Sequence, residues 1–257
     1  MARTAKLLVS VRSSEETIAA ISGGAEIVDI KEPEHGPLGC AAAETIDQIA
    51  SVLSLQDSCR PLSVALGELR DWSNMLAGKQ QLLRCLENAQ PAFLKMGLYD
   101  AVRPGSDWRS SLDRVRHELP STARWVAVAY ADHQQSRSPT AFDVAQYAIE
   151  SGCAVLLIDT YRKDGTNLCN WLRPEQMQEL RTVTSRASVR LALAGKVTVA
   201  DLPHLLAANP DIIAVRGAVC QDGERNRSVC EDRVRCFRQS LALASGFTTD
   251  ERLGEIH

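Results

Sequence analysis

Eight short apolar runs recur along the 257-residue chain at intervals of roughly 20–36 residues. In order they are Lys6–Val11, Ile27–Lys31, Leu62–Leu66, Phe93–Gly97, Trp125–Tyr130, Ala154–Asp159, Arg190–Gly195 and Ile212–Gly217. Each is continuous rather than alternating, which marks strands covered on both faces, as in a parallel sheet. Between them apolar residues return at helical spacing, and several helix starts are legible. Ser13-Ser14-Glu15-Glu16 offers a capping box, Ser138-Pro139 an N-cap followed by proline at the first helical position, and Pro174 opens a helix over Glu175–Arg186. Eight strand–helix units predict an α/β protein, a single closed (β/α)8 TIM barrel. A doubly wound open sheet is the rival, because a strand count from sequence can miss by one or two. No Gly-, Ser- or Pro-rich linker divides the chain. Residues 1–245 are therefore expected to form one catalytic barrel, and 246–257 a polar, frayed C-terminal tail.

Polar residues interrupt these runs at chosen places. In the second strand Ile27, Asp29 and Lys31 share one face, and Val28 and Ile30 the other. The Val28/Ile30 face suits packing under the helices, so Asp29 and Lys31 should point into the barrel mouth. The fourth strand repeats the pattern with Phe93 and Lys95 inward, and the sixth with Val155, Leu157 and Asp159; Lys163 follows in the next loop. All of these lie at the carboxyl ends of their strands, where barrel enzymes keep their active sites. Buried ion pairs are the plain alternative, yet such pairs contribute little net stability. Three lysines and two aspartates converging on one barrel end favour chemistry. An ammonium near other cations, or partly desolvated, loses its proton more easily and becomes a nucleophilic amine. Such an amine forms an imine with an aldehyde or ketone, and a nearby aspartate can move protons. Glycines closing the last two strands, in Leu193-Ala194-Gly195-Lys196 and Val215-Arg216-Gly217-Ala218, let backbone N–H groups approach a phosphate. Lys196 or Arg216 would add charge.

Composition narrows the partners. A net charge of −3 argues against a nucleic-acid protein held by a basic field and gives no reason to expect a membrane surface. The N-terminal apolar run is too short for a signal or spanning segment, so the protein is expected in the cytoplasm. The eight cysteines are scattered singly, with no CxxC, and a chain this long needs no disulfide staples. They are expected to be reduced and mostly packed in the core; no metal site is expected. Among the histidines only His35, in the loop after Lys31, lies near the candidate site. A homo-oligomer is compatible with the sequence but not required by it.

Several of these segments carry a specific likeness. Gly23–Pro33 running on to Gly36-Pro37-Leu38-Gly39, Lys95–Tyr99, Tyr130-Ala131-Asp132, Ile158-Asp159-Thr160 and Lys163-Asp164-Gly165 belong to it. So do Leu193–Gly195, Val215–Ala218, Cys220 and Gly223-Glu224-Arg225-Asn226. Together they resemble, in one collinear order, the (5-formylfuran-3-yl)methyl phosphate synthase family of TIM-barrel lyases. The resemblance implies condensation of two glyceraldehyde 3-phosphate molecules, with loss of phosphate and water, toward a methanofuran-type carrier of one-carbon units. It implies Lys31 as the imine-forming amine, with Asp29, Lys95, Asp159 and Lys163 as acid–base and electrostatic groups. No metal or organic cofactor is implied. The chain departs from the family pattern at Pro37, Glu68 and Lys196, which touch the expected phosphate and substrate loops rather than the lysines. Two other functions share these residues: a class I aldolase acting on another phosphosugar, and a non-catalytic barrel whose lysines only clamp phosphate.

Overall fold

The structure is a computed structural model that describes residues 4–56, 60–72, 79–162 and 164–250, with side chains to residue 246. Eight strands form: β1 (Lys6–Val11), β2 (Ile27–Ile30), β3 (Leu62–Glu68), β4 (Phe93–Gly97), β5 (Arg124–Tyr130), β6 (Val155–Asp159), β7 (Arg190–Leu193) and β8 (Ile212–Val215). Neighbours pair in parallel and β8 returns to β1, so the sheet closes into a barrel. The open-sheet alternative falls on that closing pair. Outside run α1 (Ser14–Ser22), α2 (Ala43–Leu55), α3 (Gln80–Ala89), α4 (Trp108–His117), α5 (His133–Ser136), α6 (Ala141–Glu150), α7 (Pro174–Arg186), α8 (Leu202–Leu206) and α9 (Glu231–Asp250). No helix among the described residues is long and apolar enough to cross a membrane.

Strand alternation sorts the core into two layers. Ile27, Phe93, Val126, Val128, Val155, Leu157, Ala192 and Ile212 fill the barrel interior. Val28, Ile30, Leu94, Met96, Leu156 and Ile158 face the helices instead. The inward sets are those that the polar positions of β2, β4 and β6 continue. One strand breaks the alternation: the register of β3 against β4 shifts between Ala65 and Glu68. Gly67 carries the irregularity at φ +85°, a conformation that L side chains rarely adopt.

The helix boundaries refine the expectations. Ser13 caps α1, its side chain accepting from the Glu16 N–H, and Pro174 is the first residue of α7. The cap of α6 is Thr140, not Ser138. Thr140 and Asp143 form a reciprocal capping box, whereas the Ser138 hydroxyl is buried against that of Ser136. At the other end α9 runs through Gly246 to Asp250, so the helix extends into the segment expected to fray.

Candidate active site

Asp29 and Lys95 meet across the barrel interior. Lys95 Nζ lies 2.7 Å from Asp29 Oδ1, and the two residues are 3 % and 0 % exposed. The Ser10 hydroxyl donates to Asp29 Oδ2 at 2.9 Å, in keeping with the register that sets Ser10 beside Asp29. The lysine that pairs with Asp29 in this way thus comes from β4, two strands away, although Lys31 lies only two residues on in sequence. Both charges are out of water, so each depends on the other to offset its desolvation. Lys31 is the first residue after β2; its backbone N–H extends the ladder to Val11 O at 3.1 Å, and its side chain is half-buried at the rim. Asp159 ends β6, buried, with its Oδ1 accepting from the Thr160 N–H at 2.7 Å. Lys163 lies outside the described residues.

A third carboxyl enters the same mouth. The irregularity in β3 turns Glu68 inward, where Oε1 accepts from the Tyr130 hydroxyl at 2.6 Å and Oε2 from the Tyr99 N–H at 2.8 Å. Tyr130 in turn sits beside Asp159 in the β5–β6 register. Gly97 makes room for the pair: a Cβ there would collide with Glu68 Oε2 and the Tyr130 hydroxyl. Burial pushes the Glu68 carboxyl above its ordinary pKa, against the pull of its two hydrogen bonds. Burial, then the Glu68 charge, raises Tyr130 well above the usual phenol range.

The loops are pinned from below. Asp132, buried after β5, accepts from the Tyr161 N–H at 2.7 Å and the Arg162 N–H at 2.8 Å, which fixes the start of the loop that leads to Lys163. Lys196, at φ +55°, reaches the Gly165 carbonyl at 3.1 Å on the far side of that loop. Gly195, at φ +101°, packs on Thr160, so the turns after β6 and β7 lie against each other. The backbone N–H groups of Gly195, Lys196, Gly217 and Ala218 make no hydrogen bond to another described backbone group. His35 is exposed and faces the Cys40 carbonyl, within the loop after Lys31.

Arg216 differs from the expectation of a phosphate ligand. Its guanidinium is buried, with Nη1 on Glu16 Oε2 at 2.8 Å and on the Ser10 carbonyl at 2.9 Å. Nη2 meets Glu16 Oε1 and the Arg227 carbonyl, and Nε the Arg225 carbonyl. These five bonds use all five N–H donors of an arginine. The side chain ties the turn after β8 to β1 and α1. The seven described cysteines are unpaired thiols. Burial pushes Cys153 up to about 11 and Cys85 up to about 12, as expected of packing residues rather than nucleophiles.

Sequence reasoning assigned no role to Glu68, Tyr130 or Asp132. Tyr130 and Asp132 were visible as polar residues closing an apolar run, the same signal that marked Asp159. The resemblance placed Glu68 in an expected substrate loop, but its inward direction was hidden because alternation from Leu62 puts it on the outer face with Leu66. Only Gly67, a glycine inside a strand, hinted at the irregularity.

The chain as a whole has known relatives. Residues 7–238 match the family model of 4-HFC-P synthase. The chain belongs to the 4-HFC-P synthase family. The (5-formylfuran-3-yl)methyl phosphate synthase of Methanopyrus kandleri is 31% identical over 240 residues, covering 92% of this chain and 99% of its own length. A putative (5-formylfuran-3-yl)methyl phosphate synthase of Kitasatospora aureofaciens is 32% identical over 241 residues, covering 91% and 93%. Among solved structures, thiamine phosphate pyrophosphorylase from Pyrococcus furiosus superposes with a TM-score of 0.57 over 95% of this chain and 98% of its own. At 12% identity that likeness shows the shared barrel alone. In this member of the 4-HFC-P synthase family, Asp29, Asp159, Lys31 and Lys95 lie at or just inside the carboxyl end of the barrel.

Proposed function

We propose that this enzyme joins two molecules of glyceraldehyde 3-phosphate, through an imine on Lys31, into (5-formylfuran-3-yl)methyl phosphate, the furan precursor of a methanofuran-type carrier. Atoms balance when each product releases one inorganic phosphate and two waters. The observation that carries the reading is the contrast between Lys31 and Lys95. Lys95 is buried and held by a carboxylate at 2.7 Å, which suits it to an electrostatic role. Lys31 is half-buried at the rim, where a substrate can reach it. Its amine attacks the aldehyde and loses water to give the imine. The protonated imine acidifies the neighbouring carbon, and the enamine so formed attacks the second aldehyde. Loss of one phosphate and of water then closes and aromatises the ring. Asp159, with Lys163 on the loop that Asp132 anchors, supplies the proton transfers. The backbone N–H groups of Gly195, Lys196 and Gly217 supply phosphate contacts. No metal or organic cofactor enters these steps, because the imine is itself the electron sink.

The test is turnover of glyceraldehyde 3-phosphate supplied alone, followed by furan absorbance and released phosphate. The expected result is one phosphate per furan. A six-carbon aldol adduct without phosphate release would instead identify a class I aldolase and overturn the reading.

A further inference from the structure

Two guanidinium groups approach the β8 side of the mouth, and the fold treats them oppositely. Arg216 has every donor occupied and a carboxylate in contact. Arg225, on the loop after β8, gives both Nη2 hydrogens to backbone carbonyls, Pro33 O at 3.0 Å and Gly36 O at 3.1 Å. Among the described residues no carboxylate lies within ion-pairing distance of it, and Nε and Nη1 have no hydrogen-bond partner. The side chain is half-buried. A guanidinium in that position has lost part of its hydration without gaining a counter-ion, an arrangement that favours an incoming anion.

Position supplies the rest of the case. The carbonyls that Arg225 holds belong to the turn that begins two residues after Lys31. A Cβ on Gly217 would meet the Arg225 backbone and Cβ at 3.8 Å, so Arg225 sits beside the glycine that ends the β8 strand region. Arg216 Nε holds the Arg225 carbonyl at 2.7 Å, which fixes the loop from below. Lys31 acts electrostatically on Cys220, and Arg225 feels Asp159, Cys220 and Glu32. Its guanidinium therefore stands over the site, between the loop of the imine lysine and the turn after β8.

We propose that Arg225 is the residue that recognises the phosphate of the triose phosphate bound at Lys31. Nη2 latches the Lys31 loop, while Nη1 and Nε offer single charge-assisted bonds to phosphate oxygens. Gly217 and Ala218 present backbone N–H groups beside it. This inference rests on the reading of Lys31 as the imine-forming amine. It makes Arg225 the residue that selects phosphorylated over unphosphorylated aldehydes.

Borohydride trapping read by mass spectrometry tests it, with glyceraldehyde 3-phosphate and with glyceraldehyde, in the wild type and in Arg225→Gln. In the variant the half-saturating glyceraldehyde 3-phosphate concentration is expected to rise about 10- to 100-fold. The value for glyceraldehyde should stay within about threefold, because that substrate carries no charge for Arg225 to meet. An equal loss for both aldehydes, or none for either, would overturn the proposal and leave Arg225 a loop latch. A second measurement needs neither the variant nor the imine: phenylglyoxal modification of the wild type, mapped by peptide mass, with and without inorganic phosphate. Phosphate is expected to protect Arg225; equal modification with and without it would overturn the assignment. Failure to trap any aldehyde on wild-type Lys31, with protection of Arg225 intact, would overturn the imine reading and keep the phosphate site.

Discussion

At the scale of single residues the Asp29–Lys95 pair sets the character of the site. Lys95→Met would strand a fully buried carboxylate and is expected to cost about 3–5 kcal/mol, read by chemical denaturation. Asp29→Asn combined with Lys95→Met should cost less than the sum of the single changes, since the double variant leaves no unpaired charge. Glu68 and Tyr130 make a pH-dependent counterpart. The Tyr130 hydroxyl draws the Glu68 pKa down while burial draws it up more strongly. Glu68 therefore contributes stability at pH below the ordinary carboxylate pKa, and that contribution is lost as pH rises through its higher folded value. The tyrosine bond favours the ionised form, so Tyr130→Phe should destabilise by about 1–3 kcal/mol at alkaline pH and by less near pH 4.5. A stability gap independent of pH would contradict that account. Charged residues at the ends of apolar runs were legible in the sequence because few other roles suit them. The ion pair of Arg216 was not legible, because its partner, Glu16, lies 200 positions away and nothing local reveals it.

At the scale of elements, strand order and inward faces followed from continuous apolar runs and period-two alternation. Boundaries did not follow as well. Thr140 displaced Ser138 as the cap of α6 because a reciprocal box with Asp143 satisfies more backbone N–H groups than serine and proline alone. Thr140→Ala should cost about 1 kcal/mol, and Ser138→Ala should not act through the helix cap. The loop after β6 depends on Asp132, whose two oxygens take successive backbone N–H groups. Asp132→Asn retains one carbonyl oxygen and must release one of those bonds. Amide exchange at Tyr161 or Arg162 should accelerate, with the barrel strands unchanged.

At the scale of the whole molecule, closure joins the ends of the chain. The β1–β8 pairing and the Arg216–Glu16 pair both link the first strand–helix unit to the last. Arg216→Met is therefore expected to lower global stability by about 1–3 kcal/mol, read by chemical denaturation, because it removes the buried hydrogen bonds of the guanidinium and leaves Glu16 with Arg12 alone, at 3.4 Å. The number of repeats made the barrel legible; closure itself rests on contacts between residues far apart in sequence.

All of these levels meet at one amine. Wild-type protein reduced with borohydride in the presence of glyceraldehyde 3-phosphate, then digested and analysed by mass spectrometry, reads that amine directly. The account predicts a substrate-dependent adduct on Lys31, absent in Lys31→Arg because a guanidinium cannot form the imine. An unmodified Lys31 in the wild type, or an adduct on Lys95 instead, would contradict it.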